Sequence, residues 1–156
     1  MNMIVKRYVV GLLALVLLLS NVVVFAAPGT EVIIMPASLQ TIEEEAFYNN
    51  TSIRKIVIQE GTIEICSKAF ANCSSLESVI LPESLVRIEA AVFENCNALE
   101  KINLPEGIEF IGERAFDSCP NVVITVVEFS YADNWCKEAG IRTMYFCDDE
   151  NGLGWG

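Results

Sequence analysis

The chain has 156 residues, enough for one domain and a targeting segment. Apolar residues make up 53% and charged residues 20%, which excludes wholesale disorder. A net charge of −11 argues against nucleic acid and anionic membranes as partners, and the absence of histidine removes the commonest general base.

Residues 1–8 carry Lys6 and Arg7, residues 9–25 are almost unbroken apolar sequence, and Val24-Phe25-Ala26 sets small residues where signal peptidase needs them. Residues 1–26 therefore read as a signal peptide cut before Ala27, placing the protein in the secreted or cell-surface class. An uncleaved anchor is the rival reading, since the run approaches the ~20 residues that span a bilayer; Ser20 and Asn21 interrupt it. Two of the 10 basic residues lie in this leader, so its removal takes the net charge from −11 to −13. Residues 27–34 follow as a lead-in, with Pro28-Gly29-Thr30, and a first strand.

From Met35 the sequence repeats with a period of 23. Phe47, Phe70, Phe93 and Phe116 form one ladder; Ile42, Ile65, Ile88 and Ile111, five residues before each phenylalanine, form another. After each aromatic come Ile53, Leu76, Leu99 and Val122, then Ile56, Val79 and Ile102, then Ile58, Leu81 and Leu104. Cys73, Cys96 and Cys119 keep the same step, with Asn50 in that slot of the first repeat.

One such unit holds too few apolar side chains to close a core alone, so each must shield the next. The pattern predicts a mainly β repeat solenoid of about four 23-residue coils, over 35–58, 59–81, 82–104 and 105–127. Alternation puts Val79 and Leu81 inward and Ser78 and Ile80 outward on a short strand. Successive strands pair in parallel, and Pro82 and Pro105, lacking an N–H, end them. A second extended piece such as Leu85-Val86-Arg87-Ile88 leads to the Ala-Phe turn. In the last unit Val122, Ile124 and Val126 sit two apart, so one residue is missing and Thr125 points outward.

The repeated string Pro-x-x-x-x-x-Ile-x-x-x-Ala-Phe-x-x-Cys-x-x-Leu-x-x-Val-x-Leu, over 35–126, resembles the BspA-type leucine-rich repeat family. The stretch from Phe129 through Trp135 and Cys136 to Ile141 resembles the helix and strand that close such arrays, so 128–147 is expected to be a C-terminal cap and 148–156 a flexible tail. The resemblance implies a secreted or surface protein-binding module, often adhesive, with no chemistry of its own. Gln59, Thr62 and Cys66 depart from the pattern, which makes the second coil the least regular expected.

An even count of six cysteines in an exported chain suggests disulfides. Yet Cys73, Cys96 and Cys119 fall on a ladder position that fits core packing. Cys66, Cys136 and Cys147 lie off it, and a Cys136–Cys147 bridge pinning the cap is conceivable. Without histidine or a Cys-x-x-Cys pair no metal site is expected, nor any cofactor. No catalytic residues are assigned: Glu43-Glu44-Glu45 fits a solvated corner, and Asp148-Asp149-Glu150-Asn151-Gly152 fails as a calcium loop because Cys147 would hold its first ligand position.

A binding surface is expected on the outward strand face, at Lys55, Val57, Ser78, Ile80, Lys101 and Asn103. There Val57 and Ile80, with Ile34 before them, make an apolar stripe flanked by two lysines. The same pattern also follows from the preference of strands for β-branched residues. The function expected is that of a monomeric, non-enzymatic binder of an extracellular or surface protein; the alternative is a structural, self-associating envelope protein.

Overall fold

The computed structural model describes residues 23–27 and 30–146, with side chains from Val32 onward. Most of the expected signal peptide and all of the tail lie outside the described residues.

The chain winds into a solenoid of about five turns with two parallel ladders of strands. The larger is a seven-stranded sheet in the order β1 (Val23–Ala27), β2 (Thr30–Ile34), β4 (Ile53–Val57), β6 (Ser78–Ile80), β8 (Lys101–Asn103), β10 (Val123–Val126) and β11 (Thr143–Tyr145). The smaller holds β3 (Thr41–Ile42), β5 (Glu64–Ile65), β7 (Arg87–Ile88) and β9 (Phe110–Ile111). Pairing follows the 23-residue period: Ile56 lies against Val79 and Val79 against Ile102, and Ile42, Ile65, Ile88 and Ile111 pair in turn. These side chains are buried, as are Phe70, Phe93, Leu76 and Leu99, so one continuous apolar column runs through the coils.

A third side closes each coil at the Ala-Phe turn. Its backbone takes the left-handed conformation twice per coil, at Glu45, Lys68, Ala91 and Arg114 and again four residues on at Asn49, Asn72, Asn95 and Ser118. Such residues cost of order 1–3 kcal/mol each unless their surroundings hold them. Here N–H groups from alternate residues reach the next coil: Lys68 to the Ala90 carbonyl at 3.0 Å, Phe70 to Val92 at 3.0 Å and Asn72 to Glu94 at 2.8 Å. The turn thus has a hydrogen-bonded ladder of its own, although no regular strand forms.

Behind this turn the phenylalanine rings stack, with centroids 5.3 to 5.5 Å apart and planes within 18° of parallel. Cys73, Cys96 and Cys119 lie beside them, and each thiol donates to a phenylalanine carbonyl of the preceding coil, at 3.2, 3.3 and 3.0 Å. The three cysteines are therefore packed in the core, and they also tie neighbouring coils together.

The second coil, expected to be the least regular, keeps the register of its neighbours. Thr62 is fully buried where an aliphatic residue was expected, and its hydroxyl donates to the Leu39 carbonyl at 2.8 Å. Next to it the Ser84 hydroxyl donates to the Thr62 carbonyl and accepts from the Gly61 N–H, while the Glu60 carboxylate accepts the N–H groups of Glu83 and Ser84. Paired this way, the polar replacements do not carry the cost of unsatisfied buried groups. Gly61 is needed at this corner: its φ is +105°, and a Cβ would stand 2.7 Å from the Ala37 carbonyl oxygen.

At the C-terminal end the missing residue appears as pairing between Ile102 and Ile124. Beyond it α1 (Tyr131–Ala139) is capped by the Ser130 hydroxyl, which accepts from the Asp133 N–H, and ends at Gly140 in the left-handed conformation. Ala132 and Cys136 face the core, and Trp135 meets Phe116 edge-on at 6.1 Å, finishing the aromatic stack. Asp133 is buried, accepting from Lys137 at 2.8 Å, from the Phe129 N–H at 2.9 Å and from the Tyr145 hydroxyl at 3.3 Å. These bonds fix α1 to β11. At the other end β1 pairs antiparallel to β2 and spans the expected cleavage site, so a cut before Ala27 would leave only Ala27 opposite Thr30 on that edge.

Candidate interaction face

The outward positions of the large sheet form two rows. Parallel pairing sets Val32, Lys55, Ser78, Lys101 and Val123 side by side in one. Ile34, Val57 and Ile80 neighbour each other in the other, which Asn103, Thr125 and Met144 continue. All six residues expected to form a binding surface, Lys55, Val57, Ser78, Ile80, Lys101 and Asn103, share this face. Ile80, Lys101 and Asn103 are exposed, while Lys55, Val57 and Ser78 are half-buried among their neighbours.

The face is more apolar than its expected residues indicate, because the cap adds to it. Met144 is 51% exposed and Phe146 48%, beside Ile80 at 46%. The alternation Thr143-Met144-Tyr145-Phe146 carries this signal, but the segment was assigned only a closing role. Phe146 lines a depression of about 350 Å³ together with Ser78, Ile80, Lys101, Asn103 and Glu83, so it reaches across the sheet from the edge strand.

Of the eight basic side chains among the described residues, four are ion-paired. Arg54 pairs with Glu77 at 2.6 Å, Arg87 with Glu89 and Glu64, Arg114 with Glu94 and Asp117, and Lys137 with Asp133. Lys55 and Lys101, like Lys68 and Arg142, have no ion-pair partner among the described residues. Both flank Ser78, one strand away on either side, which puts their backbones roughly 10 Å apart along the row.

Chemistry has little to start from elsewhere. Burial pushes the thiols of Cys73, Cys119 and Cys136 up to about 11 and that of Cys96 higher still, so they stay protonated and unreactive near neutral pH. Cys66 is also raised, by burial first and then by Glu64, Glu43, Glu89 and Glu44 around it. Cys136 is fully buried, and the partner considered for it, Cys147, lies outside the described residues. Glu43 and Glu44 are exposed at their corner. Among the described residues no three metal-ligating side chains come together, and no helix is long and apolar enough to cross a membrane.

Residues 23–134 match, in six copies, the family described as BspA type leucine rich repeat region. A leucine-rich cell surface protein from Faecalibacterium prausnitzii is similar in fold, with a TM-score of 0.63 at 20% identity over 83% of this chain. The pneumococcal vaccine antigen PcpA is similar over 61% of the chain, with a TM-score of 0.59 at 26% identity. A leucine-rich repeat protein from Bacteroides capillosus is similar over 62% of the chain and 87% of its own length, with a TM-score of 0.51 at 26% identity. The chain spans 39% of the Faecalibacterium protein and 24% of the pneumococcal one. No match was found among curated protein sequences.

Proposed function

The chain belongs to the BspA-type leucine-rich repeat family, and from that premise we propose that it is an exported, non-catalytic module that binds another extracellular or surface protein through the outer face of its large sheet. Where the partner sits on a neighbouring cell, the interaction is adhesive. The observation that carries this reading is the apolar row Ile34–Val57–Ile80 beside Lys55 and Lys101, which lack ion-pair partners among the described residues of an acidic protein. Ile34 and Val57 are half-buried and Ile80 exposed, and a partly exposed apolar strip of this kind favours a binding role. The lysines add steering towards an acidic partner and make association sensitive to salt. That the pneumococcal relative is a vaccine antigen and the Faecalibacterium relative a cell surface protein supports an extracellular setting.

The test is capture of extracellular proteins by the exported chain and by a Val57→Glu, Ile80→Glu variant. Both substitutions point outward, so the variant should keep its circular dichroism and melting temperature. Specific capture lost in the variant supports the face. A second reading, self-association in the envelope, is favoured by the row of Met144, Tyr145 and Phe146, all exposed on and beside the edge strand β11. Mass that grows with concentration in sedimentation, with no partner captured, would select it.

A further inference from the structure

We propose that the outer face of the large sheet takes an amphipathic α-helix of its partner, laid across the strands with its apolar stripe on Ile34, Val57 and Ile80 and a pair of carboxylates on Lys55 and Lys101. The inference rests on the reading of this face as the partner site and names the element that fills it.

Spacing is the first ground. In-register parallel pairing sets Ile34, Val57 and Ile80 in a row across the strands, one strand spacing of about 4.8 Å between neighbours. An α-helix shows one face at i, i+4 and i+7, which average about 5 Å apart along its axis, so three successive contacts stay in step with the row. An extended segment laid the same way repeats on one side only every ~6.7 Å and has lost the row by its third contact. Lys55 and Lys101 keep the same match. They stand two strand spacings apart, roughly 10 Å, against about 10.5 Å between helix positions i and i+7. Between them Ser78 is short and half-buried, which leaves room for the helix to come down on the sheet.

Charge is the second ground. Along each strand the lysine row comes before the apolar row, and the corner carboxylates Glu60, Glu83 and Glu106, all exposed and 23 residues apart, come after it. Glu83 lines the same depression as Ile80 and Lys101, so both signs of charge border one apolar floor. The Glu60 carboxylate is engaged by the N–H groups of Glu83 and Ser84, whereas Glu83 and Lys101 have no ion-pair partner among the described residues. A helix acidic on one flank and basic on the other meets both signs in only one of its two directions, so charge sets which way it lies. Arg142 extends the lysine row beyond Val123, its guanidinium donating to the Pro120 carbonyl at 3.2 Å, and offers a longer helix a third cation.

The probe is a chemically stapled peptide of about four helical turns. It carries leucines at i, i+4 and i+7, glutamates along one flank and lysines along the other, and is titrated into the isotopically labelled exported chain. Amide shifts should saturate and centre on β2, β4, β6 and β8. The Val57→Glu, Ile80→Glu variant should show no saturable shift. Lys55→Glu with Lys101→Glu should weaken binding roughly ten-fold, and a peptide with its flanking glutamates changed to lysines should recover it on that variant. Such recovery also shows that the variant is folded. A peptide of the same composition with its leucines at alternate positions, and so extended, should bind at least several-fold more weakly. Equal or tighter binding of the extended peptide overturns the proposal, as do shifts that map elsewhere, shifts that never saturate, or binding that charge reversal leaves unchanged. Failure here stays distinct from failure of the binding reading. Capture of an extracellular protein through Val57 and Ile80, with the helical peptide unbound, sinks the helix alone; a bound helical peptide with no extracellular protein captured sinks the partner reading alone.

Discussion

Cys96 shows how one residue of this repeat does two jobs. Its side chain is fully buried between coils, and its thiol donates to the Phe70 carbonyl at 3.3 Å. Desolvation dominates its titration, with the thiols of Cys73 and Cys119 adding to it, so the neutral, donating form is the one held in the fold. Asn50, in the same slot of the first repeat, uses its side-chain oxygen to accept from the N–H groups of Ser52 and Ile53. The slot therefore selects small polar-capable groups, which is why cysteine and asparagine both fit it. Cys96→Ala should cost about 1–3 kcal/mol in urea unfolding, from the small cavity and the loss of one of the two hydrogen bonds to the Phe70 carbonyl, which keeps that from the Cys73 N–H. With a thiol-specific reagent at mildly alkaline pH, Cys73, Cys96, Cys119 and Cys136 should react only as fast as the protein opens. Rapid native-state labelling of any of the four would contradict their burial.

At the scale of the element, the cap depends on Asp133. The Lys137 ammonium holds its carboxyl below the ordinary value of 3.8; burial opposes this, and the Phe129 N–H and Tyr145 hydroxyl reinforce it. Because the folded value is depressed, the unfolded cap binds a proton more readily. The stabilisation is complete above about pH 3.8 and is lost as pH falls through the depressed value. Lys137 is raised in turn, chiefly by Asp133, so its half of the pair is present below 10.5 and lost as pH rises through the higher value. Amide exchange across α1 and β11 should accelerate in acid before exchange in the β6 and β8 coils does, once the intrinsic pH dependence is removed. Lys137→Met should move that loosening to higher pH. Equal acceleration along the whole solenoid would mean that Asp133 does not hold the cap separately. The cap's fold was legible in sequence, because Ser130, Trp135 and Gly140 mark a start, a buried side and a stop. Its part in the outer face was not, because Met144 and Phe146 join Ile80 only through pairing across strands far apart in the chain.

For the whole molecule, the 23-residue period made the ladders legible, since a residue repeated at one phase must stack on itself. Features without a residue signature stayed hidden. The left-handed turns at Glu45, Lys68, Ala91 and Arg114 use no glycine; at the first three the N–H donates to a carbonyl of the next coil. An apolar run ahead of Ala27 reads as a leader, and the pairing of β1 with β2 uses the end of that same run. The depression bounded by Phe146 arises only when the strands are assembled.

Nearest-neighbour construction has a consequence for cooperativity. Each coil contacts only the coils on either side, so stability is a sum of coil and interface terms. Removing residues 82–104 joins Leu81 to Pro105, the same Leu-Pro step that already follows β6. It would bring Phe70 onto Phe116 and β6 onto β10 with the aromatic and strand ladders unbroken. The shortened chain should fold and unfold in one transition, with a denaturant slope lower by roughly a fifth, in proportion to the surface lost from about five turns. Its midpoint should also fall, because one interface is gone while both ends still need covering. It should lose the depression too, because Lys101 and Asn103 leave with the deleted coil. A deletion variant with an unchanged slope, or one with no cooperative transition, would show that the coils are not interchangeable units and that one of them nucleates the rest.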